Sequence, residues 1–172
     1  MNVKCFNSIL LSSLITYHLS LITSCSSIEC PVQNVVTLQC EVVDATGNAM
    51  SLGTDTLWVF TRRNDGKDTL LLNRFSASSF SLPISYSNPE DTMLLLVNSK
   101  DKVLTLDTLF LKKDDIPHFE SVDCPAHFFH RITGVRTTHY RLDSVTIANP
   151  NVNYDQSYTH LRLYYGGIFA GQ

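Results

Sequence analysis

Apolar and polar residues alternate through Val36-Thr37-Leu38-Gln39-Cys40-Glu41-Val42. A period of two lays one face of a strand on a core and leaves the other in water. Asp44-Ala45-Thr46-Gly47-Asn48 follows with turn chemistry, Gly47 and Asn48 tolerating positive φ. Thr56-Leu57-Trp58-Val59-Phe60-Thr61 is rich in β-branched and aromatic residues, and Thr69-Leu70-Leu71-Leu72 lies beyond Asn64-Asp65-Gly66-Lys67. An Asp-Gly pair between two such runs predicts a hairpin, because a tight primed turn needs left-handed backbone angles. Asn64, Asp65 and Asp68 offer oxygens to calcium, but a helix-flanked calcium loop needs more ligands at alternating positions and a distal acid. The hairpin is the reading kept.

The pattern continues to the end of the chain. Ser76–Ser81 leads into Phe80, Leu82 and Pro83, and Tyr86–Asp91 makes a loop. Met93–Val97 is a continuous apolar run, which predicts a strand buried on both faces. After a turn at Ser99–Lys102, Val103–Leu111 returns as a strand with Leu104, Leu106 and Phe110 on one face and Thr105 and Asp107 on the other. Lys112–Pro117 is polar and stops at a proline, so it reads as a connection. Ala126–Thr133, Thr137–Ala148 and Tyr158–Tyr165 supply the last strands, the first broken by Gly134. In the final one Leu161, Leu163 and Tyr165 face one way and His160, Arg162 and Tyr164 the other. No helix of useful length and no internal repeat is visible. Seven or eight short strands at this spacing predict an all-β fold, an antiparallel β-sandwich of Ig-like, Greek-key type.

The N-terminal segment changes the picture, because it is not part of that domain. A single charge at Lys4 precedes an apolar run from Ile9 to Ile22 and then Leu21-Ile22-Thr23-Ser24-Cys25. A membrane span needs roughly 20 apolar residues, and this run is shorter and is interrupted by Tyr17 and His18. The segment reads as a cleaved lipoprotein signal, with lipidation on Cys25. The expected organisation is a signal peptide over 1–24, a lipidated tether over 25–29 and one β-sandwich domain over 30–172. Two acyl chains on a cysteine make a stable anchor, each buried methylene contributing about 0.8 kcal/mol. Ser26 follows the cysteine in place of a retention aspartate, which implies an outer-membrane location. With only Glu29 nearby as an acid, the periplasmic and surface leaflets both stay open.

Loss of the signal leaves 172 − 24 = 148 residues, enough for one proper core. Lys+Arg is 13 and Asp+Glu 16, and removing Lys4 gives 12 − 16 = −4. That balance offers no basic surface for nucleic acid.

Three cysteines remain beyond Cys25, which allow one bridge and three pairings. Cys40 sits on the apolar face of a strand and behaves as a small hydrophobe, whereas Cys30 and Cys124 lie in irregular segments. A Cys30–Cys124 disulfide is therefore expected, and closing so long a loop contributes about 4 kcal/mol in the chain-entropy model. Cys124-Pro125-Ala126-His127-Phe128-Phe129-His130 has the donor types of a zinc site. On a strand, however, His127 and His130 point to opposite faces, so no metal and no cofactor is expected. His118, His139 and His160 are dispersed and take surface or cross-strand places. No nucleophile elbow, phosphate loop or His-Glu-x-x-His is present in the sequence. Glu90-Asp91 and Asp114-Asp115 fall in predicted loops and read as solvated surface.

Ser121-Val122-Asp123-Cys124, the aromatic pair Phe128-Phe129, and Thr137-Thr138-His139-Tyr140-Arg141-Leu142-Asp143-Ser144-Val145-Thr146-Ile147-Ala148-Asn149-Pro150-Asn151-Val152 together carry a resemblance. The chain resembles the small lipoproteins of unknown function found in Bacteroidetes, the DUF6452 type, from about Cys30 to Tyr165. Pro125 stands where glycine would follow the cysteine. The resemblance implies the β-fold, an envelope location and the Cys30–Cys124 pairing, and brings no activity.

The expected function is that of a non-enzymatic binding or structural module, tied to the membrane through Cys25 and facing an envelope protein. A carbohydrate- or peptide-binding accessory role is the alternative, with Trp58, Tyr164 and Tyr165 as stacking aromatics, although Trp58 itself is expected in the core. An enzyme with loop-borne acids is the third reading. A pocket joining two carboxylates, or His127 with another histidine, is what would favour it.

Overall fold

The alternation at the start of the domain produces β1, Thr37–Val43, in which Leu38, Cys40 and Val42 are buried. Nine more strands follow: β2 Thr56–Arg62, β3 Asp68–Phe75, β4 Ser79–Pro83, β5 Glu90–Asn98, β6 Leu104–His118, β7 His127–Thr137, β8 Leu142–Ile147, β9 Asn151–Val152 and β10 Leu161–Tyr165. The structure, a computed structural model, describes residues 35–63, 65–100 and 103–165. All of these belong to Val32–Gln172, one of two units into which the chain divides. The expected signal peptide, the tether, Cys25 and Cys30 lie outside the described residues.

The described chain is all-β, as the alternation predicts, with ten strands instead of seven or eight. They form a four-stranded sheet in the order β4-β1-β10-β8 and a six-stranded sheet in the order β3-β2-β5-β6-β7-β9, and one of the two curls into a half-barrel. Every pairing is antiparallel except one: β1 and β10 run parallel, with Cys40 opposite Leu161 and Val42 opposite Leu163. Parallel partners need a long crossover, and nearly the whole domain supplies it here. Both expected turns form. Asp44 accepts the N–H groups of Thr46 and Asn48 at 2.8 and 3.0 Å beside Gly47 at φ 87°. At the β2–β3 hairpin, Gly66 takes φ 78° and the Arg63 N–H donates to the Lys67 carbonyl at 2.9 Å.

Both sheets feed one apolar core. Leu38, Leu82, Leu161 and Leu163 from the smaller sheet join Leu57, Val59, Leu95, Leu109 and Leu111 from the larger. Met93–Val97 is not buried on both faces as expected. Met93, Leu95 and Val97 enter the core while Leu94 and Leu96 remain half-buried on the other side.

The strand β6 departs furthest from expectation. Its period of two and its two faces are as predicted, with Leu104, Leu106 and Phe110 on one side and Thr105 and Asp107 on the other. It is the acid-bearing face, however, that enters the core: Asp107, Leu109 and Leu111 point inward, and Leu104 and Leu106 are 61% and 47% exposed. Asp107 is 2% exposed and its carboxylate is saturated. Oδ1 accepts from Thr138 Oγ1 at 2.9 Å and the Tyr140 N–H at 2.8 Å, and Oδ2 from the N–H groups of Arg141 and Leu142 at 2.8 and 3.0 Å. Four donors match the acceptor capacity of a carboxylate, which is how a charge is retained in the interior. The bonds tie β6 to the connection that carries the chain from β7 into β8, hence from one sheet to the other. Beside them Arg141 pairs with buried Asp55 at 2.7 Å. β6 also runs through Lys112–Pro117, the stretch expected to be a connection. β5 ends its pairing opposite Lys112, the Lys113 N–H donates to the Pro89 carbonyl at 3.0 Å, and beyond it β6 is paired with β7 alone, where a proline without an N–H is tolerated.

Replacing Asp107 with alanine leaves three backbone N–H groups without an acceptor. We expect Asp107→Ala to cost about 3 kcal/mol or more, against a change within about 0.5 kcal/mol for exposed Asp114→Ala, both read from urea unfolding.

Candidate functional site

The inward turn of the Asp107 face of β6 gives the six-stranded sheet an apolar outward face. Cross-strand register places Trp58 beside Leu96 and Leu96 beside Leu106, and in the next row Leu70 beside Phe60 and Phe60 beside Leu94. Leu104 continues the surface, opposite Asn98. Leu70 is 50% exposed, and Trp58, Phe60, Leu94 and Leu96 are half-buried by one another. Six of these residues surround a shallow hollow of about 690 Å³. Further along β6, outside the hollow, the Arg136 guanidinium lies 3.5 Å from the centre of the Phe110 ring and holds Glu90 at 2.8 Å. A contiguous apolar surface with a polar margin is how proteins mark an interaction site.

The second constellation is buried. Along β6 the inward parity continues past Leu111 to Lys113 and Asp115. Lys113, 2% exposed, donates from Nζ to the Asn88 carbonyl at 2.8 Å and to Asp115 Oδ1 at 2.7 Å. His130 of β7 sits opposite Asp115, with Nδ1 2.6 Å from the same oxygen. Asp91 of β5 completes the group and accepts the Ser85 N–H at 3.0 Å. Burial lifts the Asp91 carboxyl above the ordinary carboxylate range, against the lowering effects of the Ser85 N–H and the Lys113 ammonium. Burial pushes His130 down, and the hydrogen bond to Asp115 acts against it.

Asp115 and Asp91 are therefore not the solvated loop acids expected, whereas Asp114 is exposed and Glu90 is tied to Arg136. Two carboxylates do meet, at an ammonium and an imidazole. No serine, threonine or cysteine hydrogen-bonds His130 among the described residues, so the nucleophile–base pair of acyl transfer is not assembled there. The signal that could have revealed the cluster was parity: Asp107, Leu109, Leu111, Lys113 and Asp115 all share one face of a strand.

The other expected residues are placed as follows. His130 is buried, while His127 stands on the opposite side of β7, its ring edge-on to Tyr154 at 5.9 Å. His127 faces His118 across the strands, and the His118 ring stacks on Phe129 at 4.3 Å. His139 has Nδ1 2.9 Å from the Asp143 carbonyl. His160 is fully buried, not on the surface, and its Nδ1 accepts the Gln39 N–H at 2.9 Å. Trp58 lies on the outward face and not in the core, Tyr164 is half-buried on β10 of the other sheet, and Tyr165 is buried. The three therefore make no common row. Cys40 is a free thiol raised far above its ordinary value by burial. Cys124 is buried and disulfide-bonded, and no two described cysteines are bridged to each other.

The two buried histidines set a pH dependence. Both lie below the usual imidazole value of 6.5 in the fold, chiefly through burial, so the unfolded chain takes up protons first as the solution is acidified. Their contribution is complete above about 6.5 and is lost as pH falls through the folded values. Asp91, raised from 3.8, acts in the opposite sense: its contribution is complete below 3.8 and is lost as pH rises through its folded value. We expect the urea midpoint to fall as pH is lowered below about 6.5. His160→Phe should flatten that fall; an unchanged slope contradicts the assignment.

A model of a family of unknown function (DUF6452) matches residues 56–165. That span opens at the first residue of β2 and closes at the last of β10, so it takes in the whole six-stranded sheet and omits β1. No curated protein and no solved structure matches the chain. With well over half of its length inside the match, the chain belongs to this family of unknown function.

Proposed function

We propose that the chain is a non-enzymatic binding module of the cell envelope, held at the outer membrane by lipid on Cys25, that engages the apolar surface of an envelope protein. The outward face of β2, β5 and β6 carries this reading. A two-layer domain needs only one buried face per sheet, yet here the second face of the larger sheet bears Trp58, Phe60, Leu70, Leu94, Leu96, Leu104 and Leu106. Keeping that surface in water loses the free energy of burying it, about 25 cal/mol per Å² of apolar area, so an occupant is favoured. Leucines outnumber aromatics there, and a leucine offers no flat ring to a sugar. An apolar protein surface fits this chemistry better than a carbohydrate does. Nor do Trp58 and Tyr164, which lie on different sheets, cooperate on one glycan.

The anchor rests on the order of Lys4, the apolar run and Leu21–Cys25. A Cys30–Cys124 bridge accords with a bonded Cys124 and a free Cys40. Such a bridge would leave only a few residues between lipid and domain, so the partner would lie at the same membrane surface. The formal net charge of −3 and a sequence without a phosphate-loop motif do not favour nucleic acid.

Two outcomes test the proposal. Cys25→Ser should abolish incorporation of labelled palmitate and release the chain from membranes; continued membrane retention with no label counts against the anchor. Leu104→Asp combined with Leu106→Asp alters exposed positions only, so the fold should persist by circular dichroism. Chemical cross-linking in intact cells should then lose its partner adduct by about tenfold or more. An undiminished adduct moves the binding surface elsewhere.

A further inference from the structure

A second cavity, of about 450 Å³, opens beside the buried charge cluster, on residues that the outward face does not use. That size suits a small ligand. Val35, Val36 and Ile84 form apolar walls. Tyr86 and Phe128 line it as a stacked pair, with centroids 5.0 Å apart and ring planes 7° from parallel. Two histidines add polar groups, His127, which also packs edge-on to Tyr154, and His130, whose residue is 4% exposed.

The orientation of that imidazole is determined by what surrounds it. Asp115 Oδ1 already receives the Lys113 ammonium at 2.7 Å, so it acts as an acceptor, and the His130 nitrogen 2.6 Å away must donate. Nδ1 thus carries the proton. In a neutral ring Nε2 is then a lone pair, and it has no hydrogen-bond partner among the described residues. Burial first and the Lys113 charge second favour the neutral ring, while Asp115 and Asp91 act against them. These three groups, two on β6 and one on β5, are the charges that face His130.

We propose that this cavity binds a small planar aromatic molecule bearing one hydroxyl or N–H donor, its ring against Tyr86 and Phe128 and its donor on His130 Nε2. The Tyr86 and Phe128 rings already cover one face of each other, so a flat aromatic ligand extends that stack on a remaining face or edge, a contact that an aliphatic chain does not make. A lone pair on a neutral ring recognises a donor and repels an anion. Lys113 does not alter this, because its ammonium is already engaged by Asn88 and Asp115.

The test uses the lipidated chain from Cys25 onward in lipid nanodiscs, labelled with ¹⁵N-histidine, and three probes: indole, 4-methylphenol and toluene. Indole and 4-methylphenol should bind saturably and shift the His130 ¹⁵Nε2 resonance. Toluene, which has the shape without the donor, should bind about tenfold more weakly and leave that resonance in place. Ile84→Trp, which fills the cavity away from the Asp115–His130 contact, should abolish binding of all three; if that variant does not fold, Ala126→Leu takes its place. Equal affinity for toluene and 4-methylphenol overturns the proposal. So does the absence of saturable binding by either donor probe, or a response at the Trp58 indole in place of His130.

Discussion

A carboxylate held in the core, that of Asp107, sets the phase of the longest strand. Side chains of a strand alternate with a period of two, so a single residue fixed inward fixes all the others. With Asp107 saturated by Thr138 and three successive backbone N–H groups, Leu109 and Leu111 must follow it into the core. Leu104 and Leu106 must go outward. The opposite phase would bury those two leucines, but it would bring Asp107 into water, break four bonds and send Leu109 and Leu111 outward instead. The bonded carboxylate also joins the two sheets, because the segment it holds leads from β7 to β8.

Two consequences of that phase lie at opposite ends of β6. At the end that pairs with the last residues of β5, the outward leucines add to Trp58, Phe60 and Leu96 and make an apolar surface on the six-stranded sheet. Past Leu111, the inward row meets the limit of the apolar core and continues as Lys113 and Asp115. An ammonium and a carboxylate can occupy such a place only by satisfying one another, and His130 and Asn88 supply the remaining partners. The loss of a register residue between Lys112 and Lys113 in the β6–β7 pairing marks a bulge at this point, and bulges re-aim side chains beside functional surfaces. One strand thereby carries an exposed apolar face at one end and a buried polar wall at the other.

Much of this fold was legible in the sequence, because strands with one apolar row and Gly-containing turns announce themselves locally. β1, the Asp65-Gly66 hairpin and the inward Leu161, Leu163 and Tyr165 of β10 are examples. What was not legible depended on partners far along the chain. Asp107 reads as a surface acid until the donors at residues 138–142 are known, and Lys113 reads as loop until Asp115 and Asn88 enclose it. Pro117 reads as a terminator unless β5 is known to have ended already. The parallel contact of β1 with β10 joins the two ends of the domain, and no local pattern encodes it. Trp58 was misplaced for a related reason: an aromatic in an alternating strand is assigned to a core by default, and only the neighbouring leucines show that this sheet has two apolar sides.

Hydroxyl-radical footprinting of the chain, purified and in its native membranes, tests most directly the claim that Asp107 turns a leucine face outward for an envelope partner to cover. The account predicts that Trp58, Leu104 and Leu106 are oxidised in the purified chain and protected in membranes, with Leu109 and Leu111 silent in both. Oxidation of Leu109 and Leu111 with Leu104 and Leu106 silent would contradict the phase of β6. Equal oxidation of Trp58, Leu104 and Leu106 in the two settings would contradict the occupied face.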